Sequence, residues 1–273
     1  MRDERAQKRA PDWRGMGAPE QAARPGVAGR SQLITSLDNE VARRLRRLAH
    51  KREPGEVLLE GPRVVREASA AGLELELLAV REDVDFEVPA LRTVVLTERV
   101  FNAVSDTVTP QGVVAITHRS PVPFAEALAA ARVARWPLLI LDGVQDPGNV
   151  GAIARSAAAA GAPALAVLEG SADPYGPKAV RASAGNVFRL LVAQGSAGDL
   201  AGLEAWGAAA QGGEPLDQAP IERAEALVLG GEARGVRAPV THLVTIPLAP
   251  GVESLNVAAA AAVLLFEFRR RLA

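Results

Sequence analysis

The chain contains no cysteine, which removes disulfide scaffolds, thiolate catalysis and cysteine-based zinc sites together. Its three histidines, His50, His118 and His242, are too scattered for metal-ligand spacing; no metal is expected, and any cofactor is expected to be organic. The charged start MRDERAQKRAPDWRG has no secretory apolar core. The apolar stretch near the C-terminus is broken by Glu267 and by Arg269 to Arg271 before it reaches membrane-spanning length. The expectation is a soluble, cytoplasmic protein without membrane attachment. Gly143, Gly148 and Gly151 do not fit the G-x-G-x-x-G spacing of a dinucleotide-binding turn, and neither a P-loop, a nucleophile elbow nor a close carboxylate pair of the glycosidase kind occurs.

What remains is a chain of 273 residues, 48% apolar, long enough for two modest domains or one large one with a real core. The net charge of -1 looks unfavourable for a polyanionic partner, but the distribution of charge matters more than its sum. Residues 1–30 carry seven basic and four acidic groups among Pro, Gly and Ala, without apolar periodicity, and read as a flexible, mildly basic tail. Between Asp38 and Lys51, Val41, Leu45 and Leu48 form one helical stripe. Arg43, Arg44, Arg46, Arg47, Lys51 and Arg52 crowd the other faces, and no acid lies between Val41 and Arg52. A solvated helix usually mixes both signs, so a purely positive surface suggests contact with phosphates.

Short apolar runs at Val57 to Glu60, Leu75 to Val80, Thr93 to Leu96 and Gly112 to Thr117 read as strands. They alternate with helices at Arg63 to Ala71 and Glu98 to Ser105, giving a small α/β unit over residues 31–118. Residues 119–135, with Pro121, Pro123 and an Ala-rich helix, read as a linker. A second unit, residues 136–273, begins with the buried strand PLLILDGV and a helix from Val150 to Ala160 stopped by Gly161. Further strands follow at Ala164 to Leu168, Phe188 to Ala193, Ala208 to Gln211, Ala226 to Leu229 and Leu243 to Ile246, with a last helix from Asn256 to Arg271. Strands apolar on both faces and alternating with helices predict an α/β fold with a parallel sheet whose ligands sit at the carboxyl ends of the strands.

Three loops occupy such ends. In DGVQDPGNVGAIARSA, Pro147 and Gly148 force a turn, Asn149 is placed to cap the helix, and Arg155 stands alone among Ala, Gly and Ile. A structural pairing of Arg155 with a carboxylate is the bland alternative. In GGEARGV, Gly230 and Gly231 let backbone wrap a ligand beside Glu232, although a plain turn would look the same. In APGVESLNV, Pro250 and Gly251 shape the loop and Ser254 suits a helix cap.

Together and in order, these loops resemble the motifs of the SpoU/TrmH-type RNA 2'-O-ribose methyltransferases of the SPOUT superfamily. Asp146, Pro147, Asn149 and Arg155 match the first motif, and Gly230 and Glu232 the second. Ile246, Pro247 and Ser254 to Val257 match the third. RASAGNVFRLLV, Arg181 to Val192, is similar to a further segment of the family, with Asn186 where a small residue is usual. LLEGPRVVREA and SDTVTPQGVVAI are similar to the ribosomal-protein-like RNA-binding domain that precedes many catalytic domains of this kind.

The resemblance covers residues 31–271. It implies a C-terminal parallel-sheet domain with a deep trefoil knot, a small N-terminal α/β/α substrate-binding domain, and a homodimer. It also implies methyl transfer from S-adenosyl-L-methionine to a ribose hydroxyl of RNA, ribosomal in preference to transfer RNA. A non-catalytic RNA-binding or assembly factor on the same fold is the alternative, and self-protection against a ribosome-targeting antibiotic would use the same machinery. Gly230, Gly231, Ile246, Leu248 and Leu255 are carried over as cofactor-binding residues. Arg155, Asn149, Glu232, Ser254 and Asn256 are carried over as the polar groups of the catalytic centre, with Arg155 engaging the target nucleotide.

Overall fold

The computed structural model describes residues 32–232 and 234–272; the expected basic tail lies outside them. The first part of the described chain folds as β1 (Gln32–Ile34), α1 (Glu40–His50), β2 (Glu56–Glu60), α2 (Pro62–Ala70), β3 (Leu75–Arg81), β4 (Arg92–Leu96), α3 (Glu98–Val104) and β5 (Val113–His118). Its sheet runs β1-β4-β3-β5-β2, parallel from β1 to β3 and antiparallel at β5. α1 forms because its apolar stripe fills one face: Val41, Leu45 and Leu48 are buried with Phe101 of α3 against Leu58, Leu77 and Ile116. Asn39 caps it, accepting from the Val41 amide at 2.9 Å. α2 covers the opposite face through Val64, Val65 and Ala68. The result is the small α/β unit that the alternation of runs predicts, in the α/β/α arrangement that the resemblance implies.

The second sheet is formed by β6 (Val122–Pro123), β7 (Leu138–Asp142), β8 (Ala164–Leu168), β9 (Leu191–Gly195), β10 (Ala205–Ala208), β11 (Glu214–Pro215), β12 (Ala226–Gly230) and β13 (His242–Thr245). The order is β11-β13-β10-β12-β7-β8-β9-β6, and every pairing is parallel. The segment 119–135, read as a linker, supplies edge strand β6 and helix α4 (Phe124–Val133). Phe124, Ala127 and Ala131 of α4 are buried against Leu138, Ile140 and Ala166. The other face is covered by α5 (Pro147–Ala160), α6 (Pro177–Ala182) and α7 (Val257–Leu272).

Two strands sit away from their expected places. β9 starts at Leu191 because Asn186–Arg189 form a tight 3-10 turn, and β10 starts at Ala205, with Trp206 fully buried. Helix α5 starts three residues earlier than expected. Pro147, which needs no amide partner, takes its first position, and Asp146 is the cap, accepting from the Asn149 amide at 3.2 Å. The expected capping role of Asn149 is thereby corrected; its side chain is free to point elsewhere. Gly161 in the left-handed region, φ 89°, ends the helix.

α2 of the first unit and the α5/α6 layer of the second share one continuous apolar core, with Val64 and Val65 in the same cluster as Ala179, Val180 and Phe188. Around it, among the described residues, lie four ion pairs: Arg181 to Glu60 at 3.0 Å and to Asp106 at 3.5 Å, Arg52 to Asp173 at 2.7 Å and Arg189 to Glu67 at 2.8 Å. Glu60 is almost fully buried and also accepts from Ser105 and Thr107, so its charge is paired and hydrogen-bonded as burial requires. Asn186 is accommodated because its amide donates to the Ser183 carbonyl at 3.0 Å.

The packing of α5 on α6 depends on Gly151, where an added Cβ would stand 2.3 Å from the Ala179 carbonyl oxygen. Gly151→Ala is expected to destabilise the protein by about 1–3 kcal/mol. In a thermal scan this lowers Tm by roughly 2–4 °C per kcal/mol for a chain of this size.

Candidate functional site

Because β7 and β12 are neighbours in register, with Gly230 opposite Asp142, the loops that leave them emerge side by side. The chain leading into α7 reaches the same place. Three sequence-selected side chains meet there. The Asn149 amide donates to Glu232 Oε1 at 2.9 Å, and the Asn256 amide donates to the same oxygen and to Asn149 Oδ1, each at 3.1 Å. Asn256 also caps α7, its Oδ1 accepting from Ala258 at 2.9 Å. The cap therefore belongs to Asn256 rather than Ser254. One carboxylate oxygen of Glu232 is thus held by two amides, and all three residues are exposed or half-buried at the carboxyl edge of the sheet.

Beside this cluster is a cavity lined by Ala208 to Ala210, Gly230, Gly231, Glu232, Gly235, Ile246, Leu248, Ser254 and Leu255. All five sequence-selected cofactor residues therefore fall on its wall. Small and aliphatic residues leave backbone amides and carbonyls as its main polar groups, with Glu232 as the one carboxylate. That donor set fits a ligand with a flat apolar portion and a positive charge: aliphatic walls take the former and the carboxylate favours the latter. A larger and more open hollow at Leu200 to Glu204 and Pro239 to His242 lies at the amino ends of the strands, away from these loops. The carboxyl-edge cavity is the relevant one, because ligands of parallel sheets bind there.

Arg155 is not in the cluster. It is exposed on α5 and makes no hydrogen bond or ion pair among the described residues, so the structural pairing with a carboxylate does not occur. Six residues of helix place it about 9 Å beyond Asn149 along the axis.

The six basic residues of the α1 region divide. Arg44 is held by Glu56 and Glu76, each at 2.5 Å. Arg52 donates to Asp173 and to the Arg119 carbonyl and lies 5.3 Å from the Tyr175 ring centre. Both are internal struts, because acids outside α1, Glu56, Glu76 and Asp173, supply their partners. Arg47 reaches Glu53 at 3.4 Å with both side chains well exposed. Arg43, Arg46 and Lys51 are exposed without a partner among the described residues.

Sequence reasoning missed Lys178, which joins Asp146 at 2.8 Å and holds Asp146 below the usual carboxylate range, helped by the amides of Gly148 and Asn149. It also missed Asp142, which is buried. The only signal for Asp142 was a carboxylate closing an otherwise apolar strand.

Fold and site together define a two-domain α/β protein with a cavity at the loops on the carboxyl edge of a parallel sheet. Comparison with known proteins narrows the class. The SpoU rRNA Methylase family matches residues 137–266, and the MRM3-like substrate binding domain matches residues 39–115. The 23S rRNA (guanosine(2553)-2'-O)-methyltransferase RlmP of Bacillus subtilis is 33% identical, over 86% of this chain and 98% of that one. Human mitochondrial rRNA methyltransferase 3 is 29% identical, over 98% of this chain and 79% of that one. The crystal structure of an AdoMet-bound rRNA methyltransferase from Sinorhizobium meliloti superposes with a TM-score of 0.74 at 26% identity, covering 90% of this chain and all of that one. The chain belongs to the SpoU rRNA methylase family.

Arg44 and His118 together hold Glu76 down at about 2 from an ordinary 4.5, the Arg44 hydrogen bond being the largest cause. A depressed carboxylate stabilises the fold fully above its unfolded pKa and loses that contribution as pH falls through the folded one. Glu76→Gln is therefore expected to lower Tm near neutrality, with the difference from the parent protein shrinking between pH 4.5 and about 2. Paired thermal scans across that range measure it.

Proposed function

We propose that this enzyme transfers the methyl group of S-adenosyl-L-methionine to a ribose 2'-hydroxyl of ribosomal RNA, large-subunit RNA being the favoured target. The observation that carries the reading is the Asn149–Glu232–Asn256 cluster, joined by hydrogen bonds at the rim of an apolar, backbone-lined cavity. Family membership supports it, as do the rRNA targets of RlmP and of the mitochondrial relative. A purely RNA-binding factor would have no use for such a cavity. When bound, the cofactor supplies a sulfonium methyl ready for in-line displacement.

The chain's own residues must then hold a ribose oxygen in line and manage its proton. Gly230, Gly231, Ile246, Leu248 and Leu255 bind the cofactor through backbone and apolar contact and keep water out. Glu232 is oriented by Asn149 and Asn256, and Ser254 stands on the cavity wall beside them. Arg155, unpaired and exposed, engages the phosphate next to the target ribose and favours loss of the hydroxyl proton electrostatically. A guanidinium stays protonated and makes a poor base.

Arg43, Arg46 and Lys51, with Arg47, give the substrate-binding domain its salt-sensitive affinity for RNA. Arg44 and Arg52 belong to the framework beneath. A homodimer is supported by the apolar outer face of α7, where Val263 and Phe266 are 41% and 49% exposed. We read residues 31–118 as the substrate domain and 119–273, including the former linker, as the catalytic one. We read the loops after β7 and β12 as belonging to the knot that the family resemblance implies. No helix among the described residues is long and apolar enough to cross a membrane.

Arg155→Ala is expected to lower kcat for RNA methylation by at least about 100-fold while leaving the calorimetric affinity for S-adenosyl-L-methionine unchanged; ordinary turnover would remove Arg155 from the mechanism. Replacing Arg43, Arg46 and Lys51 together by Ala is expected to weaken RNA binding and flatten the slope of log K against log salt by up to about 3. An unchanged slope in a filter-binding titration would detach α1 from the RNA. Mapping ribose methylation in ribosomal and transfer RNA with and without the gene tests the substrate directly.

A further inference from the structure

We propose that Asp142 is a positioning residue that clamps both ends of the loop framing the cofactor cavity. The inference rests on reading that cavity as the S-adenosyl-L-methionine site. Asp142 closes β7 opposite Gly230 of β12, and its side chain is only 4% exposed. Its backbone carbonyl accepts from the Gly231 amide at 3.0 Å, where the loop begins. Its carboxylate reaches the other end: Oδ2 accepts from the Arg237 and Ala238 amides at 2.5 and 2.7 Å, and Oδ1 from the Arg237 guanidinium at 3.1 Å. Between the two anchors the chain turns back on itself, the Gly235 amide donating to the Gly231 carbonyl at 2.8 Å.

A strand end could be buried with any aliphatic residue, and a carboxylate there carries a desolvation penalty unless it is fully hydrogen-bonded. Two successive amides converging on one oxygen are an anion-binding arrangement, and hydrogen bonds to a charged acceptor are the strong ones. The clamp also explains the lack of side chains around it. A Cβ on Gly231 would lie 2.3 Å from the Gly143 carbonyl oxygen, and one on Gly143 would lie 2.8 Å from the Arg237 guanidinium. Loop and strand end are therefore in direct backbone contact. Gly230, Gly231, Glu232 and Gly235 all line the cavity, and Glu232 carries the hydrogen bonds of Asn149 and Asn256. Whatever loosens the clamp displaces these groups together. Ser171 braces the same corner, accepting from the amides of Gly143 and Val144 and donating to the Leu141 carbonyl.

The test is calorimetry with S-adenosyl-L-methionine on the full chain, together with steady-state kinetics and native-state hydrogen exchange. In Asp142→Asn the carboxylate charge is lost and an NH2 group faces the Arg237 guanidinium or the amides. Its Kd is expected to rise by about tenfold or more, and KM for the cofactor with it, while kcat at saturating cofactor changes far less. Arg237→Ala leaves both backbone donors on the carboxylate and is expected to keep Kd within about threefold. An unchanged Kd in Asp142→Asn, or an equal loss in Arg237→Ala, overturns the clamp.

Should Asp142→Asn fail to fold, the parent protein decides. Without cofactor, the amides of Gly231, Arg237 and Ala238 are expected to exchange as slowly as those of β12; exchange at open-loop rates overturns the proposal. A parent protein that binds no S-adenosyl-L-methionine would remove the functional reading instead, and the exchange data would still judge the clamp.

Discussion

The parallel pairing of β7 with β12 is the constraint on which the rest of the site depends. These two strands are separated by more than eighty residues of chain, yet their ladder runs from Leu138 opposite Ala226 to Asp142 opposite Gly230. Both are buried on both faces, so a slip of register would leave a polar strand end in the core and an apolar residue at the rim. With the register set, Asn149 and Glu232 come within hydrogen-bond distance, and α7 delivers Asn256 between them. The cluster is a consequence of sheet topology and needs no local sequence signal beyond the three polar residues.

The two units are joined in a way that matters for recognition. Besides its own core, each unit contributes to one shared apolar core, and the ion pairs of Arg52, Arg181 and Arg189 surround that shared core. The cationic face of α1 is therefore carried on a framework continuous with the sheet that bears the cavity. Partly buried pairs of this kind contribute orientation more than net stability, since desolvation offsets much of their attraction. In the function proposed above, this platform would carry RNA toward the catalytic loops, and specificity gains from such preorganisation.

Much of the fold was legible because burial leaves a periodic mark. Strands β2 to β5, β8, β12 and the final helix were placed to within a residue or two from apolar runs, whereas the three-residue edge strand β1 was not foreseen; Gly161 marked the end of α5 as its left-handed conformation requires. Errors arose where local chemistry offered two equivalent answers. Asp146 and Asn149 are both good caps, and only the helical position open to Pro147 chose between them. Pro121 and Pro123 look like linker punctuation, yet a proline also suits an edge strand with no partner on its outer side, which is what β6 is.

The sequence by itself determined the class of fold, the succession of loops at strand ends and the polar residue types that those loops carry, since these follow from hydrophobic periodicity and from the order of motifs along the chain. Tertiary structure alone decided which of those residues meet. It joined Asn149, Glu232 and Asn256, left Arg155 exposed and without a partner among the described residues, and turned Arg44 and Arg52 inward by bringing Glu56, Glu76 and Asp173 to them. It also bonded Asp142, at the end of β7, to both ends of the loop after β12. The reason is physical: periodicity reports which face of a segment is buried, whereas a hydrogen bond or an ion pair depends on the distance between segments, and long-range strand pairing sets that distance.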